Sequence, residues 1–339
     1  MREVTGVIGL SAFRGLPRPA RSWFDPAMQD RPFPAPPVPA FCAPPMEVVD
    51  DVGAAFTVHE PLLQVIPAVV GVPHAGRRYP RSFIDQARLP AQALRRSEDA
   101  FVDLLAQDVP SLGTPMLVAQ FPRAFLDVNR EPYELDPRMF EGRLPPFVNA
   151  RSMRVAGGLG TIPRIVGDGQ DIYASRLPAA EASQRIETFY KPYHNALHGL
   201  ISRTRSQFGV CVMVDLHSMP STGLDREGGM RPDIILGDRF GTSALTGVVN
   251  AAEEALRGAG FSVSRNRPYA GGYITEHYGQ PRSRINALQI EINRGLYMNE
   301  ARIEALPGFG EVRAALARSL ASMFSAWTSG LMSFPAAAE

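Results

Sequence analysis

The chain has 339 residues, 45% of them hydrophobic and 20% charged, with a formal net charge of +1. That composition is globular, and with no long run of one sign it excludes an electrostatic case for nucleic acid or an anionic membrane, leaving a small-molecule substrate as the expected partner. Two cysteines, Cys42 and Cys211, exclude a disulfide framework or a cysteine–zinc cluster.

The first 50 residues form a proline-rich irregular arm, PRPARSWFDPAMQDRPFPAPPVPAFCAPP, because each proline fixes φ and removes a backbone donor; Phe24, Phe33 and Phe41 are its candidate anchors. The start, MREVTGVIGLSAFRG, lacks the basic flank, apolar core and cleavage site of a leader. No apolar run approaches the roughly 20 residues of a membrane span. A cytoplasmic location is the expectation, with residues 51–335 as a single domain. Regular structure is expected from Val65, where Val65 to Val72 reads as a buried strand. A helix from Ser97 to Asp108, with Ser97 as N-cap, follows. Met116 to Ala119 and Ala124 to Val128 read as strands, and Gly142 to Asp171, rich in Gly and Pro, as a long loop of the kind that often carries function. Helical spacing returns over Glu181 to Arg205, kinked or split by Pro192. Val210 to Leu216 is the strongest buried strand, and Ile234 to Leu236 is another. Ser243 to Arg257 reads as a helix capped by Gly258, Phe261 to Ser264 and Ala287 to Ile292 as the last strands, and Val312 to Leu331 as the last helix. Strands alternating with helices predict an α/β fold, a mostly parallel sheet with helices on both faces.

Polar residues collect at the strand ends. His74 closes VVGVPH, Asp127, Asn129 and Arg130 close AFLDVNR, His217 closes VCVMVDLH, and Glu291 interrupts ALQIEI. Ligand sites of open α/β sheets lie outside the carboxyl ends of strands. His74 and His217 are either hydrogen-bonded loop residues or metal ligands. Glu291 is either a solvent-facing edge residue or a buried carboxylate able to act as general base. Asp215, on the face of His217, is either an acceptor for a ligand imidazole or a structural group. Arg123, Asn129 and Arg130 suit bidentate capture of a carboxylate, against plain surface salt bridging. AGGYITEHYG (270–279), with Tyr273 and His277, reads as a loop that closes over a ligand or packs on the sheet. His194 and His198, four apart on a helix, have no accompanying carboxylate motif and read as core or surface residues.

PHAGRRYP (73–80), Glu98-Asp99 followed by VDLL, DVNR (127–130), KPYH (191–194), DLHS (215–218), GGYITEHYG (271–279) and QIEINRGLYM (289–298) occur in that order. From about Val65 to about Met298 the chain resembles the N-formylglutamate amidohydrolase family. The resemblance implies a mixed, mostly parallel sheet sandwiched by helices, zinc carboxypeptidase/phosphorylase-hydrolase-like. It also implies one zinc held by His74, His217 and a carboxylate, Asp99 or, alternatively, Glu98. Glu291 takes the position of the catalytic glutamate, and Asn129 and Arg130 match the pair that holds the substrate carboxylate and polarises the scissile carbonyl. The implied reaction is hydrolysis of N-formyl-L-glutamate to formate and glutamate. The rivals are the same chemistry on another N-acyl amino acid or a small peptide, and a binding relative without turnover.

Overall fold

β-branched apolar runs punctuated by Gly and Pro form a seven-stranded sheet: β1 (Phe56–His59), β2 (Ala68–Val72), β3 (Met116–Ala119), β4 (Cys211–Met219), β5 (Ile234–Gly237), β6 (Val263–Arg265) and β7 (Ile285–Asn293). The computed structural model describes residues 44–167, 169–222 and 231–332; residues 1–43, with Phe24, Phe33 and Phe41, lie outside the described residues. In space the strands run β6-β5-β7-β4-β2-β3-β1. Neighbours β7, β4, β2 and β3 are parallel. β1 pairs antiparallel with β3, β5 antiparallel with β7, and β6 parallel with β5. The sheet is mixed and mostly parallel, as the pattern predicts.

Both faces are covered, which is why the central strands are apolar on both sides. On one face Val70, Val72, Val212, Val214, Leu216, Leu288 and Ile290 pack with Val248 and Val249 of α3 (Thr246–Gly258) and Leu320, Phe324 and Trp327 of α5 (Phe309–Met332). The Trp327 indole donates to Val248 O at 3.0 Å and ties those helices together. On the other face Val69, Met213 and Ala287 meet Tyr193, Leu197 and Ile201 of α2 (Lys191–Phe208). On this second face the period-two alternation turns polar toward the carboxyl ends: Met213, Asp215, His217 on β4, and Ala287, Gln289, Glu291 on β7. No helix among the described residues is long and apolar enough to cross a membrane.

Several expectations are corrected. Regular structure begins before Val65, with Glu47–Val49 pairing in parallel with Arg78–Pro80, and with β1. The helix expected over Ser97–Asp108 is one turn, α1 (Val102–Leu105), preceded by Phe101 at φ +67°. The reversal there lets the Asp99 N–H donate to His74 O at 3.0 Å. Ala124–Val128 is not a strand: the N–H groups of Phe125 and Leu126 both turn onto Pro122 O, and Asp127 N–H bonds Thr161 O. Arg185 holds this turn, donating to Phe125 O at 2.9 Å and lying 4.1 Å over the Phe125 ring. The segment read as a loop that closes over a ligand or packs on the sheet contains α4 (Tyr273–Tyr278), whose Ile274 and Tyr278 join the core on the second face. Gly258 is the last residue of α3, and Gly260, at φ +97°, makes the reversal instead. The α-helix expected over Glu181–Arg205 is interrupted just before Pro192, which falls in the first turn of α2. A π-helical turn, Ile186–Tyr190, joins Ala179–Arg185 to α2, and the proline, lacking an N–H, falls immediately beyond it.

Candidate active site

Parallel pairing sets Glu291 of β7 beside His217 of β4. His74 stands two residues past the end of β2, and Asp99 comes from the turn before α1. All are buried. The His217 Nδ1 lies 3.1 Å from His74 Nδ1 and 2.9 Å from Asp99 Oδ2, and His74 Nδ1 lies 3.4 Å from the same oxygen. The outer nitrogens face carboxylates: His74 Nε2 is 2.8 Å from Asp127 Oδ1, and His217 Nε2 is 2.9 Å from Asp215 Oδ2. Glu98 does not join them. It accepts from Tyr79 Oη at 2.6 Å and Arg95 Nε at 3.1 Å, on the other side of the turn.

This arrangement decides what fits. With a proton on each Nε2 shared with its carboxylate, two imidazole lone pairs and one carboxylate oxygen face each other, all within 4.8 Å. Three acceptors cannot pack together without a cation among them. Burial alone would lower the His217 pKa, but Asp215 and Asp99 on its two sides hold it well above the usual value. The cation is therefore a proton, or a metal ion that displaces it. Two imidazoles and one carboxylate, each braced by an outer hydrogen bond, are the donor set of a zinc site with a position left for water. Burial would push Asp99 and Asp127 up; His217 and His74 hold Asp99, and Arg123 and Arg130 hold Asp127, well below the ordinary carboxylate range. Burial pushes Glu291 up to about 7, with the neighbouring Asp99 adding to the effect against His217.

The cluster opens into a cavity of about 430 Å³ whose lining includes Arg96, Arg123, Arg130, Arg154, Arg294 and Glu291. Arg123 gives its Nε to Asp127 at 3.0 Å, and no other hydrogen bond of its guanidinium is found among the described residues. Arg130 spends Nε on Leu159 O and Nη1 on Asn129 O, both at 2.8 Å. Asn129 is tied on both ends: its Nδ2 donates to Asp215 Oδ2 at 3.1 Å, and its Oδ1 accepts from Ile274 N at 2.7 Å. Arg294 Nη2 donates to Asp99 Oδ1 at 3.0 Å and its Nε to Ser218 Oγ at 3.0 Å. The structure does not bring His277 or Tyr273 into this cavity. His277 is exposed on α4, its ring stacked 5.0 Å from that of Tyr273, which packs against the second-face core and His194; His277 lines a separate groove with His198. His194 instead braces the site, with Nε2 2.8 Å from Val128 O and Nδ1 2.9 Å from Tyr278 Oη; burial lowers its pKa to about 4.

Sequence reasoning sets Asp127 at the strand ends without giving it a role, and passes over Gln289 and Arg294. The signals were present: Asp127 opens DVNR, Gln289 is one period-two step before Glu291, and Arg294 immediately follows β7.

Fold and site define an α/β enzyme whose polar centre lies at the carboxyl ends of the central strands. The family model described as N-formylglutamate amidohydrolase matches residues 66–298. An N-formylglutamate deformylase of Pseudomonas aeruginosa is 27% identical over 266 residues, 77% of this chain and 94% of that protein. One from Pseudomonas putida is 28% identical over 238 residues, 69% of this chain and 83% of that protein. The crystal structure of N-formylglutamate amidohydrolase from Ralstonia eutropha JMP134 superposes with a TM-score of 0.74 at 35% identity, over 80% of this chain and 97% of that one. The chain belongs to the N-formylglutamate amidohydrolase family.

Proposed function

We propose that the protein hydrolyses the amide bond of N-formyl-L-glutamate to formate and L-glutamate, with a zinc ion held by His74, Asp99 and His217, on one catalytic domain over residues 51–335. The observation that carries this reading is the meeting of three buried lone-pair atoms within 4.8 Å beside a carboxylate on the next strand. His74, Asp99 and His217 would hold a zinc ion there, and it would supply Lewis-acid chemistry to the water and the scissile carbonyl. The chain's own residues do the rest. Glu291 takes the proton of the attacking water and delivers it to the departing nitrogen as the C–N bond breaks. Arg123, Arg130 and Arg154 line the cavity wall and receive the substrate carboxylates, Arg123 with its Nε held by Asp127 and its two terminal nitrogens left to donate. Asn129 holds Asp215 and α4 in place instead of binding substrate. His277 and Tyr273 have no part in the reaction. A small molecule as the only partner, and a cytoplasmic setting, complete the reading.

The test is metal analysis joined to formate release from a panel of N-formyl and N-acetyl amino acids. One zinc per chain and a preference for formyl over acetyl with an acidic side chain are expected; turnover of N-acetyl or neutral substrates alone refutes the assignment. Asp99→Asn loses the ion, whereas Glu98→Gln keeps it.

A further inference from the structure

Gln289 is 4% exposed and sits on β7 two residues before Glu291, its side chain on the same face. Its amide spans two different parts of the molecule. Oε1 accepts from Gly272 N at 2.7 Å, and Nε2 donates to Glu291 Oε1 at 2.8 Å. An amide can be turned end over end, but here its orientation is dictated. Gly272 offers a backbone N–H, which only the carbonyl oxygen of Gln289 accepts, so the NH₂ group must face Glu291. The Gly272 backbone lies close against Asn129: a Cβ at that position would clash with the Asn129 amide. The next N–H but one, at Ile274, is bonded to Asn129 in turn.

We propose that Gln289 is a positioning residue that chooses the reacting oxygen of Glu291. Oε1 is kept as an acceptor by the Gln289 NH₂ group, and Oε2 is the atom that takes the proton of the attacking water and passes it to the leaving nitrogen. The amide also transmits the position of the 270–272 segment to the base, so that both are set by one side chain. A proton on Oε1 would meet a donor head-on, and a carboxylate free to rotate would present either oxygen. Fixing one of them keeps the base in its productive geometry between the two proton transfers. This inference rests on the hydrolytic reading above.

Three variants test it. Gln289→Met keeps the length and loses both bonds; kcat should fall about 100-fold with KM within about threefold and metal content unchanged. Gln289→Glu restores an acceptor for Gly272 N–H, but it can donate to Glu291 only through a proton shared between the two carboxylates, which occupies the base. It should remain as slow as Gln289→Met while amide exchange at Gly272, fast in the Met variant, returns to the wild-type rate. Adding Gln289→Met to Glu291→Gln should cost nothing further, because a residue that acts through another adds no second loss. Recovery of kcat in Gln289→Glu shows Gln289 to be a loop anchor only and overturns the proposal, as does a full additional loss in the double variant. A wild-type protein that hydrolyses no member of the panel removes the hydrolytic reading itself, whereas an active wild type matched by Gln289→Met removes this inference alone.

Discussion

At the scale of single residues the site is a concentration of buried charge held in balance. Glu291 is the costliest member: burial, with Asp99 close by, raises its pKa from the ordinary 4.5 to about 7. A raised carboxyl pKa contributes stability that is fully present below the unfolded value and is lost as pH rises through the folded one. In metal-free protein, Glu291→Gln should therefore match wild type near pH 4.5 and exceed it by on the order of 3 kcal/mol above pH 7; parallel denaturant curves across that range give the difference, and equal stability at pH 8 refutes it. His74, His217 and Glu291 were legible because polar residues that end or interrupt buried runs are conspicuous. The choice between Glu98 and Asp99 was not, since adjacent acids differ only once the chain turns at Phe101. For His277 and Tyr273 two readings stayed open because flexible glycines beside aromatics look alike whether the segment covers a ligand or packs on the sheet.

At the scale of elements, the long helices and central strands were legible, being long enough for their period to dominate. The failures are short. Ser97–Asp108 has helical spacing, yet its start is drawn inward by the Asp99 N–H bond to His74 O, a tertiary demand that local preference does not encode. Ala124–Val128 has a strand's composition but is bent by Pro122 and held by Arg185 from a distant helix. The connection leaving β2 is similarly constrained. A Cβ on Gly76 would lie 2.2 Å from Phe121 O, a backbone atom. Gly76→Ala should thus destabilise by about 1–3 kcal/mol through overpacking, and because the same connection carries His74 it should weaken metal affinity too. An unchanged melting temperature would show that the two segments can separate without cost.

At the scale of the whole molecule, an alternation of strands and helices announces a mixed sheet, but not the order of its strands or the reversal at β5, which depend on pairings between remote segments. His74 and His217 stand 143 positions apart. β2, β3 and β1 are synthesised early, while β4 and β7, which complete the middle of the sheet, come much later. Until Cys211–Met219 emerges, the nascent chain carries β2 with a bare apolar edge, the kind of surface that binds chaperones or other chains. Ribosome-stalled chains ending before Cys211 should be protease-sensitive, and resistance should arise only after Asn293 has cleared the exit tunnel. A resistant early chain would mean that the first half folds by itself. The protein's vulnerability is in this way one of timing: the strand that carries His217 is also the one whose late arrival joins the two sides of the sheet.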